Sequence, residues 1–82
     1  MIRREVLKSK VQLIFREVLD SPHLVLTDAT VAKDVPTWDS LNHITLVMTL
    51  EDAFSIKFST REVMGWKNVG EMLNTLEQRA SV

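Results

Sequence analysis

The chain has 82 residues, ten Lys and Arg against eleven Asp and Glu for a formal net charge of −1, and no cysteine. That length makes one domain, over residues 1–82, near the lower size for independent folding, and the charge balance leaves no footprint for nucleic acid. Without cysteine there is no disulfide framework, no thiolate zinc site and no intrinsic thiol nucleophile, so any thiol chemistry has to come from a cofactor.

Two glycines and two prolines, with many Leu, Val and Met, favour an all-α domain. A helix is predicted from about Ile2 to Leu19. Leu7, Val11, Ile14 and Val18 form its apolar stripe, and Phe15 widens it. Lys8, Gln12 and Arg16 lie off the stripe, and Arg3 and Arg4 belong to a first turn expected to fray. Glu5, Glu17 and Asp20 interrupt the positive charge, which argues against a basic membrane anchor. Asp20-Ser21-Pro22 ends the helix.

From about Ser21 to Thr37 no period is sustained. A loop this long in so small a chain is usually functional or folded onto its own side chains. Thr27-Asp28-Ala29-Thr30 reads as a turn, and a helical turn can form around Val31 to Lys33. Some of Leu24, Val25, Leu26, Val31 and Val35 are expected to plug one end of a bundle.

Val35-Pro36-Thr37-Trp38-Asp39-Ser40-Leu41 turns this loop into a helix. Pro36 restrains the chain, Asp39 is a good N-cap, and Ser40 opens a helix that runs to Phe54. A hydroxyl there is exposed beside first-turn N–H groups, a favourable position for a phosphate ester. Leu46, Val47, Leu50 and Phe54 form the natural core face, while Leu41, Ile44 and Met48 lie on another. The second stripe is either buried or tolerated on the surface, or it is a docking patch next to Ser40.

Ile56 and Phe58 are expected to turn inward. Ser59 and Glu62 have capping-box spacing for a short helix to about Gly65. Trp66 reads as core or rim packing. Asn68 caps the last helix, Glu71 is placed to answer it, and Val69, Met72, Leu73 and Leu76 form its inner face. Glu77 to Val82 are expected to fray. The expected fold is a small all-α bundle of three main helices and one short helix, with a long loop between helices one and two.

Trp38-Asp39-Ser40-Leu41, then Asn42-His43-Ile44 and Leu50-Glu51-Asp52-Ala53-Phe54, resemble the modification site of acyl carrier proteins. The likeness spans about Ile2 to Gln78. It implies that Ser40 is esterified with 4′-phosphopantetheine, whose thiol holds acyl groups as thioesters, and that the chain has no catalysis of its own. It implies a phosphopantetheinyl transferase and acyl-loading and acyl-processing enzymes as partners. It also favours the patch reading, with Asp39, Leu41, Ile44, Met48, Glu51 and Asp52 at the docking surface. A monomer in a reducing cytoplasm is expected, without membrane insertion: the N-terminus lacks a signal-peptide core and no apolar run spans a bilayer.

Other chemistries fit less well. Ser40, His43 and Asp39 invite a hydrolase reading, but no Gly-x-Ser-x-Gly elbow is present and a bundle this small offers little cleft. His23 and His43 are too few to close a metal site. The second helix has no Lys or Arg for a recognition helix. The alternative from another class is an unmodified helical interaction module that docks through the Leu41/Ile44/Met48 face. Many fatty-acid carriers are dense in carboxylates along the second helix. Here Thr45 and Thr49 stand at outward positions and Arg61 adds positive charge near the third helix. Of fatty-acid, polyketide and related biosynthesis, a specialised pathway (polyketide, lipopeptide or unusual lipid) is therefore expected over a housekeeping fatty-acid carrier.

Overall fold

A face of Leu7, Val11 and Phe15 is fully buried along α1, Arg4–Val18, and Leu19 just beyond its end joins them. The structure, a computed structural model, describes residues 3–79. The predicted start at Ile2 lies outside them. Three further helices follow: α2, Ser40–Phe54; α3, Thr60–Gly65; and α4, Val69–Arg79. A 3-10 turn at Ala32–Asp34 interrupts the first loop, and no strand occurs among the described residues. The all-α bundle with a short third helix is therefore as expected.

One cluster of buried side chains unites the elements. Leu46, Leu50 and Phe54 of α2 and Met72, Leu73 and Leu76 of α4 meet the α1 face. The α1 helix packs on both α2 and α4. Leu26 and Val35 of the loop enter the same cluster, Leu24 packs against its edge, and Val25 stays exposed. Ile56, Phe58 and Trp66 pack on the edge. The rings of Phe58 and Trp66 meet edge-on at 5.0 Å.

Both long inner helices end on a left-handed residue that is not glycine. Asp20 has φ 51° and Ser55 φ 54°. Past each, an amide returns to the helix: Ser21 N–H to the Arg16 carbonyl and Ile56 N–H to the Glu51 carbonyl. These bonds satisfy carbonyls that a helix end otherwise leaves open. Gly65 ends α3 without this device, since no glycine has positive φ.

Polar residues of α1 hold the loop. Gln12 Oε1 accepts the Leu26 N–H at 2.9 Å, and Arg16 Nε donates to the Leu24 carbonyl at 2.7 Å. Within the loop, Thr30 Oγ1 accepts the Thr27 N–H and the Thr27 carbonyl accepts the Thr30 N–H, as the turn reading expected.

Two expectations of fraying are corrected. Arg4 is half-buried and donates to Asn74, Glu77, Asp28 and the Gly70 carbonyl. Lys8 adds a second cation to Asp28 at 3.2 Å. Bonds from Arg4 and Lys8 hold the Asp28 carboxyl below its ordinary range. Glu77 and Arg79 are helical, and Arg79 bonds Glu62 and the Lys57 carbonyl. The Arg79 bond, with the Ser59 N–H, likewise lowers the Glu62 carboxyl. Side-chain partners across the fold hold both helix ends against fraying; residues 80–82 lie outside the described range.

Candidate functional site

Ser40 occupies the first position of the fifteen-residue α2 and is exposed. The local chain explains why the helix starts there. A turn closes with the Trp38 N–H on the Val35 carbonyl at 2.9 Å. Asp39 then takes an extended conformation, and its Oδ1 accepts the Asn42 N–H at 2.8 Å. Its carbonyl accepts the His43 N–H. Asn42 Nδ2 reaches back to the Thr37 carbonyl at 2.7 Å, tying the helix to the loop.

The remaining first-turn amides set this end apart from that of α4. At α4 the Val69 N–H is given to the Thr30 carbonyl and the Gly70 N–H to the Asp28 carbonyl. Asn68 Oδ1 accepts the Glu71 N–H, and the Asn68 carbonyl accepts the Met72 N–H. The whole first turn is thus occupied. Glu71 answers the cap one residue earlier than expected, accepting the Lys67 N–H. At α2 the Ser40 and Leu41 amides have no acceptor among the described residues. They belong to the same first turn as the Ser40 hydroxyl, where helix dipole and uncommitted donors favour an anion.

Below Ser40 the junction is anchored in the core. Trp38 is 9 % exposed, and its ring meets Phe15 edge-on at 5.0 Å. Its Nε1–H donates to His43 Nδ1 at 3.0 Å. His43 is half-buried, as expected of a boundary residue, and burial lowers its pKa below the ordinary histidine value. No hydrogen bond joins Ser40 Oγ to His43, so the residues of a nucleophile and base are near in sequence but not engaged.

The two stripes of α2 separate, with one correction: Val47, expected on the core face, is only half-buried and stands outside the core cluster, because it lies at the edge of the face that Leu46, Leu50 and Phe54 define. Leu46 and Leu50 are fully buried. Leu41 is 73 %, Ile44 58 % and Met48 63 % exposed, so the second stripe lies on the surface. Thr45 and Thr49 turn their hydroxyls back onto the Leu41 and Thr45 carbonyls. Asp52 is exposed. Glu51 is half-buried and one carboxylate oxygen accepts the Phe58 N–H at 2.9 Å, so this acid also fastens the connection to α3. Met64, 80 % exposed on α3, is an apolar surface residue that sequence reasoning missed; an isolated Met in a six-residue helix gives no period to assign it a face.

A group esterified on Ser40 fits this arrangement, because the residue is exposed and the carboxylate of the preceding Asp39 is already committed to a backbone donor. A family model described as a phosphopantetheine attachment site matches residues 9–76. Among solved structures, the chain is similar to a holo acyl carrier protein from Geobacter metallireducens, with 38% identity over 87% of this chain and 82% of that one and a TM-score of 0.82. It is also similar to an acyl-carrier-protein candidate from Mycobacterium tuberculosis, with 25% identity over 87% and 95% of the two chains and a TM-score of 0.78. No curated protein matches significantly.

Proposed function

The chain belongs to the acyl carrier protein family, and from that premise we propose that Ser40 is the residue esterified with 4′-phosphopantetheine. It carries acyl groups on this covalent cofactor. The cofactor supplies the thiol, and hence the thioester, that a cysteine-free chain lacks. The observation that carries the assignment to Ser40 is its exposed hydroxyl at the start of α2, beside two amides free to receive a phosphate oxygen.

Acyl carrier proteins are generally non-catalytic, and we read this chain as having no turnover of its own. Its residues present and hold. Asp39 fixes where the helix starts, Asn42 ties the loop to it, and Trp38 roots the junction in the core. The role implies interaction with biosynthetic enzymes. We take these to include a phosphopantetheinyl transferase and acyl-loading and acyl-processing enzymes that dock over Leu41, Ile44 and Met48. Burial of such a strip contributes roughly 25 cal/mol per Å² before association costs. Asp39 and Asp52, with Glu51 at the edge, would steer a basic partner and act more on its on-rate than on its final affinity. The uncharged Thr45 and Thr49 between them support a specialised pathway over bulk fatty-acid synthesis. A monomer in the cytoplasm completes this reading.

Incubation with coenzyme A and a promiscuous phosphopantetheinyl transferase tests it. The expected result is a mass gain of one phosphopantetheine, mapped to Ser40 by peptide analysis and absent from Ser40→Ala. A gain on Ser40→Ala would place the attachment elsewhere. No gain with several transferases would instead favour an unmodified module that docks through the same apolar face.

A further inference from the structure

The Trp38–His43 hydrogen bond spans the serine. Its donor lies two residues before Ser40 and its acceptor three residues after, on the first turn of α2. The two ring planes are inclined by only 26°, with centroids 6.0 Å apart, and the edge contact with Phe15 holds the indole on the core side. The Asn42 bond to the Thr37 carbonyl straps the same junction on its outer side. An indole nitrogen only donates, so His43 Nδ1 must be unprotonated and the proton of the neutral ring sits on Nε2.

We propose that Trp38 and His43 are a positioning pair for Ser40, a clamp that holds the loop–helix junction in the geometry from which the serine hydroxyl is modified. The proposal rests on the reading of Ser40 as the attachment point. Neither side chain touches the reacting atoms; both act through the backbone that carries them.

The clamp closes only on a neutral imidazole. Protonation of His43 turns Nδ1 into a donor, and two donors then face each other. A small cavity beside His43 is lined by Val31 and Ala32 of the loop, Trp66, Lys67 and Asn68 of the α3–α4 connection, and Met72 of α4. Lys67 is the only charged side chain among them. At the helix N-cap, the Asp39 carboxylate is held by the Asn42 N–H. Burial of the ring disfavours its charged form and lowers its pKa. The bond is therefore intact at neutral pH and opens in acid, below the ordinary histidine value of about 6.5.

The test uses the full apo chain, a phosphopantetheinyl transferase and coenzyme A, with kcat/KM for modification as the readout. Trp38→Phe keeps a ring against Phe15 and removes the donor. His43→Leu removes the acceptor. His43→Asn keeps an acceptor oxygen close to where Nδ1 stands and does not titrate. The expected losses are about two- to tenfold for Trp38→Phe and His43→Leu, the range one ordinary hydrogen bond can bias, with His43→Asn near wild type. The wild-type rate divided by that of His43→Asn, which cancels the transferase's own pH response, should fall as pH drops below about 6.5. By NMR, the Trp38 indole N–H resonance should move with the same titration, while that of Trp66, bonded to Thr75 Oγ1, should not.

Folded Trp38→Phe and His43→Leu proteins that load at the wild-type rate would overturn the clamp. So would a pH-independent ratio, or a His43→Asn protein as slow as His43→Leu. If either deletion variant does not fold, the ratio between wild type and His43→Asn decides alone. Wild type that takes up no phosphopantetheine at any pH would overturn the reading of Ser40 itself, and the clamp with it.

Discussion

Asp39 does two separable things at one position. Its carboxylate oxygen accepts the Asn42 N–H, and its charge stands beside Ser40. Asparagine caps a helix about as well as aspartate. Asp39→Asn should therefore leave the thermal melt nearly unchanged while slowing association with a basic partner and flattening its salt dependence. Asp39→Ala should cost about 1 kcal/mol in the melt as well. Stopped-flow association over a salt series, beside melts of both variants, separates charge from cap. Gly70 makes the opposite kind of demand. A Cβ there would stand 3.0 Å from the Asp28 carbonyl oxygen and 3.1 Å from Asp28 Cβ, where the loop lies against α4. Gly70→Ala should destabilise by about 1–3 kcal/mol in urea titration. The control is Gly65→Ala, which meets nothing within 4 Å and has no positive φ, and should be neutral or slightly stabilising. Asp39 was legible because a cap and its helix are adjacent in sequence. Gly70 was not, because the atom that excludes a side chain there belongs to a distant loop.

At the scale of the helix, α2 turns one apolar face inward and leaves another in solvent; angular spacing separated the two stripes but misplaced Val47 and left the exposure of the second open. Leu50→Ala should cost on the order of 2–5 kcal/mol, since Leu50 is fully buried. Ile44→Ala should change stability by no more than about 0.5 kcal/mol, the usual range for a surface position. Thermal melts of the pair check this. An unchanged melt for Leu50→Ala and a collapsed one for Ile44→Ala would mean the helix is rotated. The polar side of α1 was harder to read. Lys8, Gln12 and Arg16 lie at four-residue spacing, and the sequence placed them only off the apolar stripe. Each instead serves the loop: Lys8 holds Asp28, Gln12 the Leu26 amide and Arg16 the Leu24 carbonyl. The usable signal was a requirement, since a long segment without a period carries backbone groups that need partners from outside it. Arg4 escaped for a related reason, because its acceptors lie on the loop and the far helix.

For the molecule as a whole, periodicity and caps marked every helix, and α2 matches its predicted bounds. The packing of α1 against both α2 and α4 is seen only in the structure, since periodicity says which face is buried but not against what. The course of the first loop was not legible, because its contacts are mostly single hydrogen bonds to residues far along the chain. Those bonds make the loop observable in another way. Amides in the first turn of a helix normally exchange their hydrogens quickly, having no carbonyl behind them. The Ser40 and Leu41 amides should do so. The Val69 and Gly70 amides, at the corresponding end of α4, are given to loop carbonyls and should exchange only when the loop lifts away. Their protection factors therefore read the opening free energy of the segment that delivers Ser40 to α2, from a helix that need not touch a partner enzyme. Native-state exchange on the apo chain should show Val69 and Gly70 slow and Ser40 and Leu41 fast. In Gly70→Ala the Val69 amide should lose protection by about the free energy lost in urea. Equal, fast exchange at both helix ends would mean that the loop is loosely held and that α4 stands without it.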